Sequence, residues 1–191
     1  MTVAALFIDR RGPYPARTPH AYDVERNAKT YVGPWPVVAH PPCGPWGRLR
    51  HLSRYDDPTC APWAVHAVQF WGGVLEHPRN SLLWAHCNLP KPGEGVDRFG
   101  GYSLEVNQCD FGHVARKATW LYVVRGRVPA LPEPREPTHW ISGGRGRVGQ
   151  KAKTTPVPPG IKVCSAKQRL ITPPAFADFL IAIAESVVPR D

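Results

Sequence analysis

Cys43 stands at the tip of a loop whose backbone is restricted by two prolines, directly after an apolar run at 36–40. A nucleophilic thiol needs such exposure, a fixed position and nearby backbone N–H groups that favour the thiolate. Basic residues follow within eight positions, namely Arg48, Arg50 and His51. Their positive charges are expected to lower the pKa of the thiol. A rigid turn with a half-buried cysteine explains the loop equally well, and the loop alone does not decide.

An acidic group lies near the end of another predicted strand, at 73–77. Glu76 lies thirty-three positions after Cys43. Burial in a pocket would raise the pKa of its carboxyl group. His77, the next residue, fits either a proton relay or packing at the end of a strand.

Further polar residues precede the strongest strand pattern of the chain, 118–124, which is rich in β-branched and aromatic residues. They are Gln108, Asp110, His113, Arg116 and Lys117. An aromatic residue, Trp46, lies three positions after Cys43 and fits either base stacking or turn packing. The His and Cys residues are spaced more loosely than in structural zinc sites, so no metal site is predicted.

Short strands are expected to position these residues. Strand patterns cover 3–8, 36–40, 73–77, 102–109 and 118–124. Helices are predicted at 62–71, 80–87 and 172–187, and 22–28 fits one more short helix. Asn80 is the predicted cap of the second helix. Thr172 is the predicted cap of the third, with Pro173 in its first helical position. This order indicates an α/β sheet that is parallel in its first part. Ligand sites in such sheets lie at the carboxyl ends of the strands.

Length and composition limit the class of protein further. The 191 residues suit one domain with its own core, and the 23 prolines and 17 glycines argue against a mostly helical bundle. No apolar stretch is long enough to span a membrane. Five cysteines without a close pair argue against a disulfide framework. We therefore expect a protein of the reducing cytoplasm that has no membrane partner.

The positive charge is concentrated in one segment. Ten basic and two acidic residues lie between Arg125 and Arg169, which gives this quarter of the chain +8 of the total net charge of +9. The segment also carries seven prolines and is expected to form an extended arm with little regular structure. Candidate phosphate contacts are Arg145, Arg147, Lys151 and Lys153. A nucleic acid or nucleotide partner is favoured over a merely solvated basic loop.

Three of these motifs, in this order, resemble those of the cytosine-C5 DNA methyltransferases. The loop His40-Pro41-Pro42-Cys43 resembles the family's Pro-Pro-Cys nucleophile loop. The run 73–78, which contains Glu76, resembles the strand that ends in its Glu-Asn-Val motif, and the segment 108–117 resembles its Gln-x-Arg-x-Arg motif. The resemblance covers roughly residues 36 to 125, and small phage-encoded proteins related to these enzymes look similar too.

The resemblance implies a fold and a chemistry. The fold would be a minimal Rossmann-like sheet of the methyltransferase type, with helices on both faces and the basic arm near the C-terminus. The thiolate of Cys43 would add to C6 of a flipped-out cytosine, and Glu76 would hold N3 and the exocyclic amine. C5 would then take the methyl group of S-adenosylmethionine. Arg116 or Lys117 would steady the base or its phosphate, and His77 and Gln108 would also face the substrate.

The chain departs from the family where the cofactor would bind. In place of the family's Phe-x-Gly-x-Gly turn it has Phe7 to Tyr14, with Gly12 as the only glycine. Asp9, Gly12 and Asp23 are the candidate cofactor residues, although Glu25 could replace Asp23 at a ribose and a solvated face explains both acids. Glu-Asn-Val has become Glu-His-Pro. The family's large recognition domain is expected to be absent, unless the basic arm replaces it.

Three functions therefore stay open. The first is a DNA pyrimidine-modifying enzyme of this type. The second is a catalytically degenerate methyltransferase fold that binds DNA. The third is an enzyme that acts on free pyrimidine nucleotides, for which no recognition domain is needed. The predicted organisation is a methyltransferase-like core at 1–125, the basic arm at 126–171 and a helix at 172–191 that packs back on the core.

Overall fold

The computed structural model describes residues 1–47, 50–53, 57–141, 157 and 159–188. The strands of the main sheet are β1 (Ala4–Leu6), β2 (His20–Tyr22), β3 (Val37–Ala39), β4 (Gly73–Pro78), β5 (Gly101–Asn107) and β6 (Ala118–Val124). A two-stranded sheet contains β7 (His139–Trp140) and β8 (Lys162–Val163). The α-helices are α1 (Cys60–Trp71), α2 (Leu82–His86), α3 (Ala166–Leu170) and α4 (Pro174–Glu185).

The main sheet has the strand order β2-β1-β3-β4-β6-β5. The first four strands are parallel, and β6 runs antiparallel to both β4 and β5. The chain passes from β1 to β2 on one side and then crosses to β3 on the other side. This reversal makes the carboxyl ends of β1 and β3 a switch point, where open α/β sheets bind ligands.

Apolar side chains cover both faces of the sheet. On one face, α1 packs over residues such as Leu6, Val37 and Leu75. On the other face, α4 packs over Val38, Val74 and Leu121. Such alternation is what strands buried on both faces require. The α/β fold with a mostly parallel sheet and helices on both faces is thus confirmed.

A close backbone approach explains the glycine that begins β4. Gly73 has φ of +121°, and a Cβ atom there would lie 2.0 Å from the carbonyl oxygen of Val37. Only glycine lets β4 pair with β3 at this point. Because the β3–β4 register begins with the pair Val37 and Gly73, this glycine also sets which residues meet at the far end of the two strands.

Several predicted elements need correction. The short helix α2 is capped by Ser81, whose hydroxyl accepts from the backbone N–H of Leu83, and not by Asn80. The cap of α4 is Pro173, one position after the predicted Thr172. No helix spans 22–28; β2 ends at Tyr22, and a short 3-10 turn follows at Ala28–Thr30. The strand β2 was not predicted because its half-buried residues give no apolar run.

The described parts of the arm are attached to the core beside the segment 108–117. The backbone N–H of His139 donates to the carbonyl of Val114, and Cys164 N–H donates to that of Trp140. His113 Nε2 lies 2.9 Å from the carbonyl oxygen of Gln168. These stretches contain β7, β8 and α3, so they hold more regular structure than predicted. Four predicted phosphate contacts lie outside the described residues: Arg145, Arg147, Lys151 and Lys153. Among the described residues, none of the helices is both long and apolar enough to cross a membrane.

Candidate active site

Strand register brings the Pro-Pro-Cys loop and the glutamate together. Ala39 pairs with Leu75 at the end of the parallel strands β3 and β4, so the next residues, His40 and Glu76, emerge side by side. His40 Nδ1 lies 3.0 Å from Glu76 Oε2. Both side chains are largely buried, with 12% and 14% of their surfaces exposed. The hydrogen bond joins residues thirty-six positions apart and depends on the fold.

Glu76 is the centre of a longer chain of hydrogen bonds. Its Oε1 accepts from Gln108 Nε2 at 3.1 Å and lies 3.4 Å from Thr119 Oγ1. On the other side, His40 Nε2 lies 2.5 Å from the hydroxyl of Tyr14. Residues from four separate segments thus meet at one carboxylate, on the face of the sheet that α4 covers.

The carboxyl group of Glu76 is ionised, contrary to expectation. Burial does raise its pKa, as predicted, but a larger opposing effect comes from the hydrogen bond of His40 and from the positive charges around the carboxylate. The net result is that the pKa of Glu76 is lowered, to about 2. The correction follows from a partner that the sequence did not identify, because a buried carboxylate that accepts hydrogen bonds stays charged.

The pKa of Cys43 is also shifted against expectation. Cys43 is exposed by surface area, although much protein surrounds the thiol. Desolvation by this protein, followed by the negative charge of Glu76, raises the pKa of the thiol, and Lys117 only partly opposes the rise. Arg50, which was expected to lower it, is exposed in the turn Arg50–Leu52, and Arg48 lies outside the described residues. The charge of Glu76 is nevertheless close enough to Cys43 to disfavour ionisation of its thiol.

His77 points away from this site. Alternate residues of a strand face opposite sides, so His77 lies on the α1 face while Glu76 lies on the α4 face. It is fully buried, and its Nδ1 lies 2.8 Å from the hydroxyl of Ser81. Burial lowers the pKa of His77 to about 4, so the ring is neutral at pH 7. Without exposed surface it does not reach a substrate in this conformation, and it anchors the start of α2.

The segment 108–117 reaches Glu76 through Gln108. This side chain is 1% exposed and donates from Nε2 to both Glu76 and Thr119. Its Oε1 is buried without a hydrogen-bond partner in the described part of the chain. Lys117 has φ of +42°, which is uncommon for a residue with a side chain, and its Nζ donates to the carbonyl of Ile171. Arg116 is exposed.

Trp46 lies close to the nucleophile loop but packs inward. It belongs to the 3-10 turn Gly44–Trp46, and its ring centroid lies 4.7 Å from that of His86. The indole Nε1 is buried and has no hydrogen-bond partner among the described residues. A half-buried indole of this kind supports the loop and leaves only part of the ring for a base.

The predicted cofactor residues lie at the carboxyl ends of β1 and β2, beside the switch point. Arg11 binds both carboxylate oxygens of Asp9, at 3.2 Å and 3.1 Å. A Cβ atom at Gly12 would lie 3.0 Å from the carbonyl oxygen of Asp9, so this glycine serves its own tight turn. Asp23 Oδ1 accepts from two backbone N–H groups, and Oδ2 has Arg10 Nε at 3.8 Å.

These groups fit S-adenosylmethionine in part. The cofactor offers ribose hydroxyls as donors and an α-carboxylate as an acceptor. Asp23 supplies a matching acceptor, because the nearest partner of its Oδ2 among the described residues is Arg10 at 3.8 Å. Arg10 is a matching donor, but its guanidinium is already hydrogen-bonded to Glu25. Asp9 is less suitable, since Arg11 already occupies it. The described residues contain no group of three or more His, Cys, Asp or Glu side chains that could hold a metal ion.

Sequence reasoning did not single out Tyr14 or Thr119, and it considered His40 only as part of the loop motif. Tyr14 lies in a 3-10 turn after β1 and carries no local pattern that points to chemistry. A usable signal existed for His40, since it directly follows a buried apolar run, just as Glu76 directly follows the buried residues Val74 and Leu75. Known protein families, curated proteins and solved structures gave no match to this chain.

Proposed function

We propose that this protein modifies cytosine in DNA by the chemistry of the cytosine-C5 methyltransferases. One observation carries the proposal: two other segments converge on the one that holds Glu76. The nucleophile loop does so through the hydrogen bond of His40 and the electrostatic effect on Cys43, and the third motif does so through Gln108. These are the segments whose order carries the resemblance. Convergence in space is an independent property, because order in a sequence does not bring side chains together.

In the proposed reaction, Cys43 acts on C6 of the pyrimidine. The sulfur forms a bond to C6 while the C5–C6 double bond shifts electron density toward C5. Glu76 accepts a hydrogen bond from the exocyclic amine and holds the proton that N3 carries in the adduct. A carboxylate has roughly four acceptor positions, so Glu76 can bind the base while His40 and Gln108 remain bound. A water molecule then takes the C5 proton, and the electron pair of that C–H bond restores the C5–C6 double bond as the sulfur leaves. The N3 proton returns to the sulfur through Glu76.

S-adenosylmethionine would supply the methyl group that C5 takes. Asp23 would accept hydrogen bonds from its ribose hydroxyls, and Arg10 would exchange its hydrogen bond with Glu25 for one with the cofactor's carboxylate. The carboxyl ends of β1 and β2 lie next to that of β3 in the sheet, so a molecule bound there would reach the Cys43 loop.

Double- or single-stranded DNA is the proposed substrate because of the arm. Both described stretches of the arm attach to the segment 108–117, through hydrogen bonds with Val114, His113 and Lys117. The sequence between them supplies Arg145, Arg147, Lys151 and Lys153. Basic residues that begin and end beside the base site would contact the phosphates that flank a flipped-out base. A free nucleotide has too few phosphates to contact so many basic side chains.

The first experiment is covalent trapping on two modified DNAs. In DNA with 2-pyrimidinone in place of cytosine, C6 is more electrophilic, so thiol addition is trapped without a methyl donor. DNA with 5-fluorocytosine traps the enzyme only after transfer from S-adenosylmethionine, because fluorine cannot leave as a proton does. We expect both adducts with the wild type and with Cys60→Ala, a matched control on a half-buried cysteine, and none with Cys43→Ala.

The outcomes separate the parts of the proposal. Adducts that persist in Cys43→Ala, or a wild type that forms none on either DNA, contradict it. An adduct with 2-pyrimidinone alone supports addition by Cys43 and rejects S-adenosylmethionine as the donor.

A second candidate is a DNA-binding protein of the same fold without chemistry. One observation favours it: the raised pKa of the Cys43 thiol leaves little thiolate at pH 7. This candidate predicts tight DNA binding that Cys43→Ala leaves unchanged, together with no trapping. Calorimetry that detects tight binding of S-adenosylmethionine would count against it.

A further inference from the structure

Tyr14 and His40 form a buried pair behind Glu76 that the proposed reaction does not yet use. Tyr14 is 2% exposed, and its hydroxyl lies 2.5 Å from His40 Nε2. The imidazole is the only hydrogen-bond partner of this hydroxyl within the described residues. The backbone N–H of His40 donates to the carbonyl of Leu6, which fixes the histidine against β1.

The position of the proton on His40 follows from these contacts. A buried hydroxyl needs an acceptor, so Tyr14 donates to Nε2. Nε2 then carries no proton, and the neutral ring carries it on Nδ1. That N–H points at Glu76 Oε2, 3.0 Å away. The pair therefore presents a donor to Glu76, and a donor stabilises a carboxylate over a carboxylic acid.

Other groups around Glu76 act in the same direction or depend on it. Gln108 donates to Oε1, and the positive charge of Lys117 stabilises the carboxylate. The negative charge of Glu76 in turn disfavours ionisation of Cys43 and of Tyr14. His77, on the opposite face of the sheet, is the remaining titratable group that affects the carboxylate.

We propose that Tyr14 and His40 are positioning residues that keep Glu76 a carboxylate, so that it accepts the proton of the Cys43 thiol and passes it to N3 of the base. This inference rests on the proposed function and adds the source of the N3 proton. It also assigns a role to the histidine of the nucleophile loop.

The proton count balances without exchange with water. Before addition, Cys43 holds one proton, Glu76 holds none and N3 holds none. As the S–C6 bond forms, the S–H bond breaks and its proton moves to Glu76 and then to N3. After addition, N3 holds the proton and Glu76 is again a carboxylate. The raised pKa of the thiol is therefore compatible with catalysis, because the same proton is needed on the base.

The first test is the pH dependence of C5-hydrogen exchange. Tritium release from DNA tritiated at C5 of cytosine reports thiol addition without any methyl donor. On the acid side, the rate falls when Glu76 becomes protonated and cannot accept the thiol proton. Loss of one hydrogen bond to a charged group shifts a pKa by about one to two units. His40→Ala should raise the pKa of Glu76, so the acid limb moves up by about one to two pH units.

Matched variants distinguish this role from a structural one. In His40→Asn, the side-chain amide keeps a donor near the position of Nδ1, so the acid limb should lie close to its wild-type position. Tyr14→Phe lets His40 adopt either tautomer and should give a smaller shift in the same direction. His66→Ala, an exposed histidine on α1, should leave the limb in place. An unshifted limb in His40→Ala overturns the proposal.

A second readout does not depend on activity. Carbon-13 NMR of the Glu76 carboxyl group, assigned with Glu76→Gln, gives its titration midpoint in the free protein. The midpoint should be higher in His40→Ala than in the wild type, and equal midpoints overturn the inference. A wild type that releases no tritium refutes the proposed function and the proton transfer with it, while the midpoints still decide whether His40 keeps Glu76 ionised.

Discussion

The two halves of the sheet edge are built differently. At the carboxyl ends of β3 and β4, Glu76 is buried and binds residues from distant segments, His40 and Gln108. At the carboxyl ends of β1 and β2, Asp9 and Asp23 are bonded to residues at most three positions away, apart from the loose pair with Arg10. The same edge thus combines a network that depends on the fold with loops that are satisfied locally.

This difference indicates which part of the site already has its final geometry before a ligand binds. Buried polar groups are costly to place, and Oε1 of Gln108 is buried without a hydrogen-bond partner among the described residues, so the Glu76 network marks a position where geometry matters. Asp9 is exposed and bonded locally, so it can exchange partners at little cost. Asp23 is also bonded locally, but only 15% of its side chain is exposed. We infer that the base side of the site is preorganised and that the cofactor side rearranges when a ligand binds.

The largest expected effect is on the rate of tritium release when Glu76 is changed to Gln. Removal of a general acid–base group lowers a rate by about 10²- to 10⁴-fold. Glu76→Gln should show a loss of this size, whereas Glu94→Gln, an exposed control paired only with Lys91, should match the wild type. A loss of less than about tenfold would mean that the carboxylate does not act on the base.

A smaller effect is expected on the cofactor side. Asp23→Asn should raise the KM for S-adenosylmethionine by roughly tenfold, as loss of one hydrogen bond to a charged acceptor implies, with kcat retained. Steady-state methylation over a range of donor concentrations measures both constants. An unchanged KM would place the donor elsewhere.

Removal of a single basic side chain near the site should lower the affinity for DNA by a few fold. Arg116 is exposed beside Lys117, and Arg98 is an exposed arginine in the hairpin turn before β5. Arg116→Ala should weaken DNA binding and reduce the slope of log Kd against log salt by about one, because one phosphate contact is lost. Arg98→Ala serves as the control. Equal effects of the two substitutions would mean that DNA does not approach this edge.

Acid should destabilise the fold in two separate pH ranges. The folded pKa of His77 is lowered from 6.5 to about 4, so only the unfolded chain takes up this proton as the pH falls through that range. By linkage, stability is then lost by roughly 2–3 kcal/mol. The folded pKa of Glu76 is lowered below its value of 4.5 in the unfolded chain, so its contribution is lost only as the pH falls further, toward about 2.

Urea unfolding at pH 7, 5 and 3 would separate the two groups. His77→Gln should remove the loss between pH 7 and 5, and Glu76→Gln should reduce the loss between pH 5 and 3. If both variants lose stability with pH as the wild type does, other groups control the acid response.

The smallest expected effects are on the free energy of unfolding, when one residue of the Glu76 network and one residue at the end of β1 are substituted. Tyr14→Phe removes the hydroxyl that donates to His40 Nε2 and should lower the free energy of unfolding by about 1 kcal/mol. Asp9→Asn should cost less than about 0.5 kcal/mol, because exposed ion pairs contribute little. Thermal unfolding of both variants at pH 7 measures the difference. A reversed order would contradict the contrast between a buried network and exposed loops.

The sequence predicted the positions of strands better than the contacts between their ends. Apolar runs located β1, β3, β4 and β6, since burial on both faces leaves a direct pattern. Such runs also placed Cys43 and Glu76 after adjacent strands. The contact between Tyr14 and His40 depends on how the loop after β1 folds back, and no local pattern encodes it.

The pKa of Glu76 could not be predicted from the sequence for the same reason. Burial was predicted for Glu76, and burial alone raises the pKa of a carboxyl group. The direction changed because His40, which the register of β3 and β4 places beside it, donates a hydrogen bond. Register is fixed by backbone features such as Gly73, whose effect on a carboxylate three residues later cannot be derived from composition or spacing.

The central claim is that the carboxyl ends of β3 and β4 form a site that activates a pyrimidine through Cys43. Peptide mapping by mass spectrometry of the wild-type protein, trapped on DNA that contains one 2-pyrimidinone, tests it most directly. The account predicts a single modified peptide, with the base attached to Cys43 and none of the other four cysteines modified. Attachment at another cysteine, or recovery of only unmodified peptides, would contradict it.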